Sequence, residues 1–90
     1  CYREAVLTFS KEAPAGSQLF VMREAYIAAY YASPDITIRD HRTEAKDVQA
    51  GDYILVNSRS NEDRKILKDV PPFLTVSRNG AIFCAIKQVP

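Results

Sequence analysis

At 90 residues, 47% hydrophobic and 26% charged, the chain has the make-up of one folded domain. It is too short for a core plus an independent second unit and too apolar for disorder. Twelve basic residues stand against eleven acidic ones, a net charge of +1, and the basic group Arg39, His41, Arg42 and Lys46 is interleaved with Asp40, Glu44 and Asp47. That mixture excludes the clustered basic face expected of a nucleic-acid binder, and no apolar run approaches the roughly 20 residues of a membrane span.

In chain order, Tyr2, Val6, Phe9 and Ala13 recur at three- and four-residue steps and predict an amphipathic helix over Tyr2 to Glu12. The cluster Pro14-Ala15-Gly16-Ser17 ends it, and Leu19-Phe20-Val21-Met22 reads as a central strand. From Ala25 to Ala32 the pattern suits a short, largely buried helix, with Glu24 near its positive end and Pro34 as its stop. Ile36-Thr37-Ile38 is a brief strand nearer the sheet edge, and a polar connector with one apolar anchor, Val48, leads from Asp40 to Gly51.

Tyr53 to Asn57 then form an apolar run suited to a strand buried on both faces, followed at once by a helix-start signal. Ser60 and Asp63 have capping-box spacing, with Asp in the Glu position, so Ser60 reads as a cap and not a nucleophile, and Asp63 as its partner and not an acid catalyst. The helix is expected from Asn61 to Lys68, with Ile66 and Leu67 inward and Pro71-Pro72 beyond it. Phe73 to Val76 and Ala81 to Ile86 flank Ser77-Arg78-Asn79-Gly80, a strong hairpin signal.

These elements predict a small α/β, Rossmann-like layered domain with a mixed, mostly parallel sheet of about five strands and a C-terminal β-hairpin. Right-handed crossover makes the first two strands neighbours. The third is expected on the other side of the first, with the hairpin closing the remaining edge, but the connector from Asp40 to Asp52 could cross either way and the sequence leaves the order beyond the first two strands open.

Of the two cysteines, Cys84 lies in a run apolar on both faces and reads as a buried thiol. Pairing with the terminal Cys1 requires the first helix to pack over the last strand, and the sequence leaves that open. A chain beginning at Cys1 and entering a helix without a flexible tether is expected to be a piece of a longer protein, in preference to a lipoprotein. The lone histidine, His41, reads as a solvated loop residue, and the sequence groups no metal ligands around it and calls for no cofactor.

In open parallel sheets, ligands bind beyond the carboxyl ends of strands where the strand order reverses. That rule selects Arg23, Glu24 and Tyr26 after the first strand, and Asn57, Ser58, Arg59 and Ser60 after the third, as groups that could hold a sugar or an anion. Neither strand runs into a glycine-rich loop, which argues against a nucleotide. Tyr26, Tyr30 and Tyr31 form a dense aromatic group read as packing on the sheet with hydroxyls at the rim; exposed, the tyrosines would mark an interaction surface.

The succession of helix, Pro-Ala-Gly-Ser turn, strand, Tyr-rich helix and strand, then Gly51-Asp52-Tyr53-Ile54-Leu55-Val56 and Val76-Ser77-Arg78-Asn79-Gly80-Ala81-Ile82-Phe83, resembles the soluble C-terminal domain of bacterial polytopic membrane glycosyltransferases. These are relatives of the dolichyl-phosphate-mannose protein mannosyltransferases and the lipid A aminoarabinose transferases. The resemblance spans nearly the whole chain as a pattern of elements, without a signature motif. It implies a membrane body that transfers sugar from a polyprenyl-phosphate donor, with the acidic catalytic residue in an early loop of that body, so no catalytic residue carries over here. The domain would then be an extracytoplasmic accessory, partnered by the membrane-embedded portion and by a sugar or glycolipid acceptor. The competing expectation is a small-ligand or protein-binding module of a lipoprotein or sensor.

Overall fold

The computed structural model describes residues 1–90. Its elements are α1 (Tyr2–Glu12), β1 (Gln18–Val21), α2 (Ala25–Tyr31), β2 (Thr37–Asp40), α3 (His41–Glu44), a 3₁₀ turn (Ala45–Asp47), β3 (Tyr53–Asn57), α4 (Asn61–Arg64), β4 (Leu74–Arg78) and β5 (Ala81–Gln88). The five strands form one sheet in the order β2-β1-β3-β5-β4. It is parallel across β2, β1 and β3, with Leu19 opposite Ile38 and Tyr53, and antiparallel across β3, β5 and β4, with Leu55 opposite Ile86 and Val76 opposite Cys84. The domain is therefore α/β with a mixed sheet and a C-terminal hairpin, as expected from the sequence.

Strand alternation divides the core between the two faces of the sheet. Leu19, Val21, Tyr53, Leu55, Cys84 and Ile86 point to the face covered by α1 and α2, where Ala5, Val6, Phe9 and Ala28 meet them. Phe9, Tyr53 and Phe73 close one end of this layer through edge-on ring contacts, with centroids 4.8, 5.1 and 6.0 Å apart. Phe20, Ile54, Val56 and Ala85 point the other way, under Met22, Val48, Ile66, Leu67 and Val89. This second face has a thinner cover, because the segment after β3 gives only one helical turn.

Several expectations are corrected. The polar connector between β2 and β3 holds two elements the sequence does not announce, α3 and the 3₁₀ turn, both organised by Arg39. Its guanidinium donates to Glu44 Oε2 at 2.9 Å, Asp47 Oδ2 at 3.0 Å and Gln18 Oε1 at 2.6 Å, and lies 5.3 Å from the centre of the Phe20 ring. α4 ends at Arg64 and does not run to Lys68, and Leu67 takes a left-handed φ of 50°, which a continuing helix cannot accommodate. α2 is not largely buried: Ala28 is its one fully buried residue, and Tyr26 and Tyr30 stand 76% and 82% exposed instead of packing on the sheet. Seven residues give two turns, enough to turn one stripe inward and no more.

Cys84 is not a free thiol: it forms a disulfide with Cys1 across 83 positions. Glu4 of α1 pairs with Arg78 of β4 beside it. The chain reversal between β4 and β5 uses Asn79 and Gly80, both at positive φ, 52° and 82°. That geometry suits a two-residue turn and accounts for the Asn-Gly sequence there. No helix is long and apolar enough to cross a membrane.

Candidate functional site at the strand-order reversal

β1 leads through α2 to β2 on one side, whereas β3 leads through α4 toward the hairpin on the other, so the order reverses between β1 and β3. Arg23 leaves the carboxyl end of β1, and Asn57 through Asp63 leave that of β3. The two loops meet in a closed cluster of polar groups. Asp63 is 1% exposed, the only charged residue in the buried set. Its Oδ1 accepts from Arg23 Nη2 at 3.1 Å, and its Oδ2 accepts from Arg23 Nη1 at 3.3 Å and from the Asn57 backbone N–H at 2.8 Å. The pairing is the two-pronged guanidinium–carboxylate arrangement that fixes orientation as well as charge.

Ser60 ties the cluster to α4. Its Oγ accepts from the Asp63 N–H at 3.3 Å, the N-cap bond, and from Arg23 Nη2 at 3.2 Å. The capping reading is right for Ser60 and incomplete for Asp63. The Asp63 carboxylate does not return to the Ser60 N–H, which donates to the Asn57 carbonyl at 3.0 Å; it reaches under the end of β3 instead. The Arg23 guanidinium is held more firmly protonated than usual, chiefly by its hydrogen bonds to Asp63. Tyr2, at the start of α1, has its phenol pushed up by burial, against which the neighbouring Arg23 charge acts.

Of the residues selected from the sequence, Arg23, Asn57 and Ser60 converge and the others do not. The Asn57 side chain accepts from the Arg59 N–H at 2.9 Å, and Arg59 turns away to lie 5.3 Å from the centre of the Phe83 ring. Glu24 is exposed at the N-cap of α2 in a left-handed conformation, φ 54° and ψ 45°, and makes no capping bond. Tyr26 points outward from α2, remote in role from the cluster. Sequence reasoning missed Asp63 as the centre of the site and Tyr2 as its neighbour. The available signal was an acid three residues after a cap, placed beyond a central strand and opposite an arginine beyond the adjacent one.

What the cluster can do follows from its geometry. Both carboxylate oxygens are occupied, the guanidinium is committed to Asp63 and Ser60, and no cavity opens on the surface. An anion or sugar entering here would have to draw the half-exposed Arg23 guanidinium away from the buried Asp63 carboxylate. The three glycines at positive φ, Gly16, Gly51 and Gly80, lie in the turns before β1, before β3 and inside the hairpin. None lies at the carboxyl end of a parallel strand, where a phosphate would need close backbone approach. The site latches the two loops together, with the carboxylate and the guanidinium already engaged by each other. No group of three or more His, Cys, Asp and Glu side chains comes together that could hold a metal ion.

No protein-family model matches this chain, and neither a curated protein nor a solved structure matches it. The fold and its geometry are therefore the ground for a functional reading.

Proposed function

We propose that the chain is a non-catalytic accessory domain of a membrane glycosyltransferase that uses a polyprenyl-phosphate sugar donor, and that it works on the extracytoplasmic face of the membrane. The observation that carries the non-catalytic part is the Arg23–Asp63 bond: the crevice where this class of sheet binds ligands is filled by the protein's own charges. The Cys1–Cys84 disulfide supports the location, since such bonds persist in oxidising compartments. The order of elements, with its Tyr-rich second helix and Asn-Gly hairpin, supports the parent, by resemblance to the C-terminal domains of those enzymes.

Two measurements test this. Incubated with polyprenyl-phosphate sugars and acceptor, the chain alone should fold and transfer nothing, and measurable transfer overturns the reading. The coding sequence upstream of Cys1 should encode several long apolar spans; a lipoprotein signal there would remove the glycosyltransferase parent.

A further inference from the structure

α1 and α2 lie side by side on one face of the sheet, tied by the Ser33 N–H donating to Ser10 Oγ at 3.1 Å. The outer surface of that layer has a distinctive make-up. α2, Ala25–Tyr31, contains no charged residue, and its crest opposite buried Ala28 is Tyr26 and Tyr30, four positions apart on one stripe. On α1 the exposed positions facing away from buried Ala5, Val6 and Phe9 include Arg3, Glu4, Leu7 and Lys11, with Leu7 40% exposed. Arg3 and Lys11 take part in no ion pair, whereas Glu4, on the flank of α1, is engaged by Arg78. The other acids near the layer, Glu12 and Glu24, lie at the end of α1 and before the first turn of α2.

We propose that this crest is the face the domain lays against the membrane, with Tyr26 and Tyr30 seated among the lipid headgroups and Arg3 and Lys11 facing anionic phosphates. Tyrosine has an apolar ring and a polar tip and collects where one end must be dry and the other wet. Lysine and arginine beside such rings gain from the negative potential of anionic lipid. The crest lacks the converging polar groups of a saccharide site, so a broad polar–apolar boundary fits it better than a single small molecule. The orientation rests on the accessory-domain reading, which sets the domain beside a bilayer.

The test mixes the chain at millimolar lipid with vesicles of phosphatidylglycerol or of phosphatidylcholine, each doped with a gadolinium-chelate lipid. Association is read by co-sedimentation and contact by broadening of backbone amide signals. Expected are association with phosphatidylglycerol vesicles, a roughly tenfold loss in Y26S/Y30S, a smaller loss in R3Q/K11Q, and broadening confined to α2 and the outer stripe of α1. The four side chains are exposed, and unchanged urea denaturation of the variants shows that they still fold. The proposal is overturned by any of four results: no association, association unchanged in Y26S/Y30S, broadening centred on Ile82 and Phe83, or a vesicle-free saccharide complex or dimer abolished by the same substitutions. Transfer activity is measured separately, so failure here leaves the accessory-domain reading standing.

Discussion

Arg23 and Asp63 are 40 positions apart, and their two-pronged contact is the point at which the loop after β1 and the loop after β3 become one unit. Asp63 is buried while the Arg23 side chain is 40% exposed, so the two ends of the bond differ in solvent access. Loss of the acid and loss of the base therefore have different consequences.

Replacing Asp63 by Asn removes the charge but keeps the shape. The guanidinium can turn to water, whereas the Asn57 N–H keeps an acceptor. The cost should be about 1–3 kcal/mol. Arg23→Met leaves a buried carboxylate with one backbone partner and should cost more, about 3 kcal/mol. Urea denaturation of both variants checks the order, and an Asp63→Asn loss equal to or above that of Arg23→Met contradicts this account.

The disulfide constrains the unfolded chain over 83 positions. Chain-entropy arithmetic for a loop of that length gives about 4.5 kcal/mol of stabilisation. Whole domains of this size are stable by roughly 5–13 kcal/mol. Thermal melts of the oxidised chain, the reduced chain and C1A/C84A should show the latter two markedly less stable and similar to each other. A drop of a degree or two would mean that the bond adds little.

The Tyr2 phenol is pushed above its usual value of 10.0 by burial. A group raised on folding stabilises fully below the unfolded value and loses that contribution as pH climbs through the folded one. Above about pH 10 stability should therefore fall less steeply in Tyr2→Phe than in the natural chain, as read by alkaline titration.

At the acid end, Glu44 is held below its usual 4.5 chiefly by its hydrogen bond from Arg39. Its contribution is present above that value and disappears as pH falls through the lower folded one. Glu44→Gln should flatten the loss of stability below about pH 4.5, and an unchanged acid limb would show that the Arg39 network does not form in solution.

Glu24 occupies a left-handed conformation without capping α2. Relieving that strain by Glu24→Gly should raise stability by a few tenths to about 1 kcal/mol, read from the denaturation midpoint. A loss would show that the Glu24 side chain holds something in place.

The sequence exposes most readily what local pattern decides. The strand Tyr53–Asn57 is legible to its last residue, because an apolar run passes directly into a cap, and the hairpin turn is legible because Asn-Gly has few other uses. The pairing of β1 with β2 follows from handedness, whereas the side on which β3 joins is left open by a connector that could cross either way. What depends on distant partners is not legible. α3 and the 3₁₀ turn have no apolar period and are held by Arg39 from a neighbouring strand. Tyr26 and Tyr30 resemble core residues by type, and they face outward because α2 docks through the opposite stripe, that of Ala28. Asp63 satisfied a capping pattern so well that its second role, as partner to Arg23, left no local trace.

The link from Cys1 to Cys84 also settles how the domain would behave under tension. A pull applied at Cys1 and resisted at Pro90 travels through the sulfur bridge into β5 and out along the last residues, bypassing everything between. α1, the latch and the parallel half of the sheet stay out of the force path. A tug on Cys1 and Pro90 tests only how well the second half of β5 is gripped by β3 on one side and β4 on the other.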